Sequence, residues 1–205
     1  MIHTVVDNYL IGGLIMKVVK IILLIIAIII VIPLITALFV KNEYSVERQV
    51  VINKSKSEVF NYIRHLKNQD NYSVWAQMDP NMKKTYSGID GEPGFVSAWE
   101  SQNPEVGKGE QEIIKIVDDQ TIDFELRFLE PFASTAQAYM TTDSVNENQT
   151  SIKWGFKGDM QYPFNLMLLF MNMDQMISND LETGLANLKA ILEISPQAIS
   201  EETEE

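Results

Sequence analysis

Cysteine is absent from the 205 residues. That excludes a disulfide framework, a thiol nucleophile and a thiolate metal site, and it leaves the redox compartment open. Histidine is scarce: His3 and His65 are the two in the chain, far apart in sequence. A zinc site or a Ser-His-Asp triad is hard to build from so little, and no metal or cofactor is expected. Positive charge is also in short supply, with 16 Lys and Arg against 28 Asp and Glu, a net charge of -12. Residues 1–42 hold Lys17, Lys20 and Lys41 against Asp7, a net of +2, so residues 43–205 carry -14. A domain that acidic repels phosphate backbones and anionic head groups. Nucleic acid is not an expected partner.

What the chain has in plenty is apolar side chain, 46% of the total against 21% charged. That suffices for one domain with a real core plus an appendage. The appendage is at the front. Ile21 to Val40 reads IILLIIAIIIVIPLITALFV, twenty residues without a charge. At about 1.5 Å per residue such a helix spans roughly 30 Å, the hydrocarbon thickness of a bilayer. Pro33 kinks it without forbidding it. A cleaved signal peptide is the rival reading, but its apolar core is shorter, about 7–15 residues, and ends in a small-residue site that this run lacks. The expectation is therefore an uncleaved single-pass anchor at about residues 18–40, in an amino-terminal segment 1–42. Lys17 and Lys20 before the span favour a cytoplasmic amino terminus and an extracytoplasmic domain, although Lys41 and Arg48 blunt the bias. Met16-Lys17 reads as an alternative start to Met1, and the apolar residues of Met1–Ile15 then only lengthen the helix.

Tyr44 to Asn53 suits a first strand. Ser55 and Glu58 have the S-x-x-E spacing of a capping box, so a helix begins near Lys56 and runs to about Leu66. Asn68 to Pro80 is polar with embedded aromatics, a short helix and loop. Turn signals then divide the chain into strands at Lys83–Tyr86, Phe95–Ser101, Lys108–Val117, Thr121–Glu130, Thr135–Val145 and Thr150–Asp159. Two of these alternate cleanly: Ile122, Phe124, Leu126 and Phe128 oppose Asp123, Glu125 and Arg127, and Ile152, Trp154 and Phe156 oppose Lys153 and Lys157. One wet face and one covered face is the mark of antiparallel strands. From Pro163 to Ile194 apolar residues recur at helical spacing, rich in methionine at Met167, Met171, Met173 and Met176, with Asp174 as a cap after a short break. This stripe reads either as plain core or as one wall of a cavity. The fold class is α+β: one strongly curved antiparallel sheet closed over a long carboxy-terminal helix. The acidic tail, residues 195–205, is expected to be disordered.

These pieces, in this order, resemble the SRPBCC (START/birch-pollen-allergen-like) superfamily, in its bacterial polyketide-cyclase-like branch, over about Tyr44 to Glu193. The carrying text is VERQVVINKSKSEVFNYI, VWAQMDP, KKTYSG, GFVSAWES, VGKGEQEI, LRFLEP, TSIKWGFKGDM and DLETGLANLKAILE. Many relatives carry a second tryptophan or a Trp-Pro pair near Trp75, where this chain has Tyr72-Ser73-Val74-Trp75. The resemblance implies a helix-grip domain over residues 43–194, with an apolar cavity between sheet and helix. Matched to this chain, its lining draws on Trp75, Met78, Tyr86, Trp99, Phe128, Trp154, Phe156, Phe164, Leu168 and Met171. A filled core is the other reading of the same residues.

Three functional readings follow. The first is a membrane-anchored domain that binds a hydrophobic small molecule, a lipid or a polyketide- or isoprenoid-like compound. The second is a cyclase- or dehydratase-type enzyme. Its candidates are Glu110 and Glu112, two apart on one strand and paired carboxylates if their face is concave, solvated surface if it is outer, with His65 as a base. His65 near a helix carboxy end is equally explained as a surface residue, and Asp79 and Glu100 are weaker candidates. The third reading is a helper domain that contacts another protein. Fold alone does not choose among them.

Overall fold

A computed structural model describes residues 2–194, with side chains from Met16 onward. The acidic tail, expected to be disordered, lies outside the described residues. The described chain forms two compact units: residues up to Asn42 together with Met160–Met171, and Glu43–Asp159 together with the chain from Asn172.

The first unit is built on α1 (Ile2–Ala37), whose stretch Met16–Ala37 is long and apolar enough to cross a membrane. Its large side chains are exposed along that whole length, Ile29 to 65%. No polar face interrupts it, so nothing in the helix marks a side for burial against protein. The rest of this unit is a 3-10 turn, Phe164–Leu169. Asn165 fastens it to the end of α1, donating from Nδ2 to the carbonyls of Ala37 (2.8 Å) and Val40 (2.9 Å).

The second unit is a seven-stranded, wholly antiparallel sheet. Its strands are β1 (Glu43–Ile52), β2 (Lys83–Ser87), β3 (Val96–Glu100), β4 (Lys108–Val117), β5 (Thr121–Glu130), β6 (Ser134–Asn146) and β7 (Gln149–Asp159). The spatial order is β1-β7-β6-β5-β4-β3-β2, so six strands follow one another as a meander and the first strand adds to the end of the last. The alternation of β5 and β7 directs Ile122, Phe124, Ile152 and Trp154 into the core, where each is buried. Against them lies α4 (Met173–Glu193), which buries Ile177, Leu181, Leu185 and Leu188, residues spaced at three and four. α2 (Lys56–Ile63) closes one end with Val59, Phe60 and Ile63.

The capping box at the start of α2 forms as its spacing predicts. The Glu58 amide donates to Ser55 Oγ, and Glu58 Oε2 accepts from the Ser55 amide at 3.1 Å. The helix stops at Ile63, three residues before the expected end. His65 is extended (φ -83°, ψ 107°), and the Leu66 amide is bound by Asp90 Oδ1 at 2.7 Å instead of a helical carbonyl.

The carboxy-terminal stripe also divides differently from its periodicity. Phe164, Leu168 and Met171 belong to the first unit, and α4 starts afresh at Met173. Its cap is Asn172, whose Oδ1 accepts from the Gln175 amide at 3.1 Å, and not Asp174. Asp174 sits in the first helical turn and pairs with Arg48 at 3.1 Å. A carboxylate there complements the helix dipole without capping it.

Candidate functional site

Between the sheet, α3 (Val74–Gln77) and α4 is a cavity of about 430 Å³, walled wholly by residues of the second unit. Its aromatic walls are set by ring packing. Trp154 of β7 meets Tyr72 edge-on (centroids 5.7 Å apart, 74°) and Trp75 of α3 edge-on (6.0 Å, 88°). Trp99 of β3 meets Phe128 of β5 in the same way (6.1 Å, 74°), and Tyr44 stacks on Phe156 at 6.2 Å. Such edge-to-face pairs hold ring orientation beyond what area burial alone gives.

Two glycines make room for these rings. A Cβ at Gly184 of α4 would stand 2.8 Å from Trp154 Cζ3, and one at Gly109 of β4 would stand 2.6 Å from Trp99 Cζ2. Each glycine thus lets an indole come closer to the backbone than any larger residue would allow. Ala138 and Leu126 complete the sheet side, and Ile177 and Leu181 the helix side. At the edge Phe132, in the loop from β5 to β6, is 82% exposed although it lines the cavity.

Nine of the 24 wall residues are polar or charged, with the carboxylates Asp70, Glu105 and Glu130 among them. Gln111 is 8% exposed, and its amide makes no side-chain hydrogen bond among the described residues. It lies directly across from Ser97 of β3, a second wall residue. Lys84 and Asp70 also contribute, paired at 2.7 Å, and Asp70 accepts from the Tyr86 hydroxyl at 3.0 Å. Burial, with that carboxylate close by, pushes the Tyr86 phenol up to about 12.

Of the lining expected from sequence, Trp75, Trp99, Phe128, Trp154 and Phe156 come together on this cavity. Tyr86 instead stacks on Phe95 at 6.1 Å, with the Lys67 ammonium 4.8 Å above its ring. Met78 is 38% exposed and outside the lining, while Phe164, Leu168 and Met171 are in the first unit. Met82, Gln111, Ala138, Gly109 and Gly184 were not foreseen. Strand alternation places Gln111 and Gly109 on the covered face once β4 is in register with β5, so a signal for those two existed.

The same register puts Glu110 and Glu112 on the opposite, outer face. There the Arg127 guanidinium joins three carboxylates: Nε to Glu110 (2.6 Å), Nη2 to Glu112 (2.7 Å) and Nη1 to Glu125 (2.5 Å). Those bonds hold its pKa above the already high guanidinium value. His65 is half exposed, 3.8 Å from Asp90, and is not a wall residue. Asp79 accepts from the Ser101 hydroxyl, and Glu100 pairs with Lys108 at 3.7 Å. These candidates for proton transfer do not converge on one point of the cavity.

No protein-family model and no curated protein matches the chain. Solved structures do. Truncated norcoclaurine synthase from Thalictrum flavum superposes with a TM-score of 0.55 at 7% identity, covering 76% of this chain and 97% of that one. The protein XoxI from Bacillus cereus gives 0.53 at 13% identity, covering 72% and 94%. A protein from Nitrosospira multiformis gives 0.52 at 15%, covering 76% and 99%.

The fold is the helix grip.

At such identities the likeness speaks for architecture alone. What distinguishes this helix-grip domain from a filled one is therefore its own lining: rings held by one another, glycines beneath two of them, and an unengaged amide in the wall.

Proposed function

We propose that the chain is a membrane-anchored binder of a hydrophobic small molecule, of lipid or of polyketide- or isoprenoid-like character, and of the polyketide-cyclase-like branch of its fold. The observation that carries this is the 430 Å³ aromatic-walled cavity. Its size falls within the range of small-molecule sites, and apolar side chains make up the larger part of its walls, with polar groups among them to orient a ligand. Each methylene moved from water into it is worth about 0.8 kcal/mol. A ligand burying ten of them gains about 8 kcal/mol before the cost of association, enough for retention.

The ligand carries a polar group at one end. Gln111 supplies both a donor and an acceptor from a nearly buried position, and Ser97 a hydroxyl beside it. Both residues line the cavity, where a carbonyl or hydroxyl of the ligand pairs with them. Through α1 the domain stays where apolar ligands are concentrated, with Lys17 and Lys20 favouring an extracytoplasmic position for it.

Native mass spectrometry of the full chain, released from detergent in the spectrometer, tests the reading. The parent chain and Glu110→Gln are expected to retain an apolar molecule that chloroform extraction identifies. Ala138→Phe, which fills the cavity, is expected to lose it. Equal retention by all three, or by none, would count against a ligand in this cavity.

A further inference from the structure

The chain from Met160 to Met173 contains no charged residue, although the rest of the region after Asn42 is strongly acidic. Within it Phe164 is 65% exposed, Leu169 57% and Phe170 83%, with Tyr162 and Met167 about half exposed. So dense a run of uncovered apolar side chains is unlike the scattered single residues that ordinary surfaces tolerate. The segment is also tied to the end of the apolar helix. Asn165, 3% exposed, donates both amide hydrogens to the carbonyls of Ala37 and Val40, and the Met160 amide donates to Asn42 at 2.8 Å. Helix carboxy ends leave carbonyls without intrahelical partners, and at bilayer depth no water satisfies them. Leu38 and Phe39, at that same end, are exposed to 68% and 85%.

We propose that residues 160–171 form a second bilayer contact, inserting Phe164, Leu169 and Phe170 among phospholipid acyl chains at the interface while Asn165 seals the end of the spanning helix. The proposal rests on the reading of α1 as a membrane span, because that helix fixes the level of everything bonded to its end. Aromatic and aliphatic side chains with nearby polar backbone suit that depth, where Tyr162 also finds both an apolar and a wet neighbour. The patch accordingly takes a lipid surface. A lone apolar span would leave the segment's side chains in water, at about 25 cal/mol for each Å² of apolar surface.

The absence of cysteine makes the test direct. Single cysteines replace Ile29, Phe164, Phe170 or Glu147 in the full chain, are labelled with a nitroxide, and are reconstituted in phosphatidylcholine vesicles. Collision rates with dissolved oxygen and with an aqueous nickel chelate are then measured by electron paramagnetic resonance. The oxygen-to-nickel ratio is expected to exceed one at 164 and 170, as at 29, and to fall below one at 147 in the turn from β6 to β7. Ratios at 164 and 170 matching that at 147, with 29 still in lipid, would overturn the second contact and leave the anchor standing. Low collision with both reagents at 164 and 170 means a protein cover, such as a second copy, and overturns it too. A water-accessible label at 29 would remove the anchor reading and this inference with it.

Discussion

The indole of Trp154 rests on the backbone at Gly184, so that a methyl group at 184 would stand 2.8 Å from ring carbon Cζ3. The ring is 3% exposed and wedged between Tyr72 and Trp75, so it has no free direction in which to yield except the cavity. Alanine is favoured over glycine inside a helix by about 1 kcal/mol. Overpacking a tight core costs about 1–3 kcal/mol. Gly184→Ala is expected to lower the urea midpoint modestly and to change the near-ultraviolet circular dichroism of the tryptophans. An unchanged aromatic spectrum would show that the ring is not held where the helix leaves it.

Arg127 gathers Glu110, Glu112 and Glu125 on the outer face. Arg127→Met leaves three carboxylates together without a counter-charge. The variant is expected to melt below the parent at pH 7. The deficit shrinks as pH falls towards the carboxylate range, because protonation relieves the repulsion, and it shrinks with added salt. Ligand retention is expected to survive, since none of the four lines the cavity. Melting curves at pH 7 and near pH 4.5 read the first effect, and loss of ligand in this variant would show that the outer face and the cavity are coupled.

Tyr86 and Tyr139 have phenols pushed up to about 12 by burial and by the carboxylates of Asp70 and Glu47 that accept from them. An unfolded tyrosine ionises near 10. Between about 10 and about 12 the unfolded chain therefore gives up protons that the folded chain keeps, so stability present below pH 10 declines as pH rises. Urea titrations across that window are expected to slope downward, and less steeply in Tyr86→Phe and Tyr139→Phe. A parallel slope in both variants would sink the assignment.

Ser55 accepts from the Glu58 amide at the start of α2. Ser55→Ala is expected to cost about 1 kcal/mol, the usual worth of such a cap. Ser55→Asp is expected to restore most of it, and chemical denaturation of the three chains reads the difference. If alanine and serine unfold at the same midpoint, the box contributes nothing to stability.

The sequence made plain whatever depends on nearest neighbours. β5 and β7 announce their faces by strict alternation, and Ser55 with Glu58 announces the start of a helix by spacing alone. Residues Phe164 to Met171 misled for the same reason. Their three-and-four spacing matches that of α4, yet the continuity is broken by Asn172, which caps α4, and by Asn165, whose partners are far away at Ala37 and Val40. The charge-free boundary from Met160 to Met173 was the visible clue. Within the cavity the large rings were legible because indoles are rarely left in water. Gly184 was not, because a glycine's use there depends on which ring arrives above it, and for Gly109 alternation gave the face but not the ring.

The position of β1 bears on how such a chain is made. Its sheet partner is β7, with Glu43 opposite Asp159 and Ile52 opposite Thr150, so the earliest strand to leave the ribosome must wait for the last. Until then its ladder groups are unpaired and α4, which would cover it, has not been synthesised. Docking of the final hairpin and helix therefore completes the domain in a single late event, and chains stalled before Gln149 should be conspicuous to proteases and chaperones.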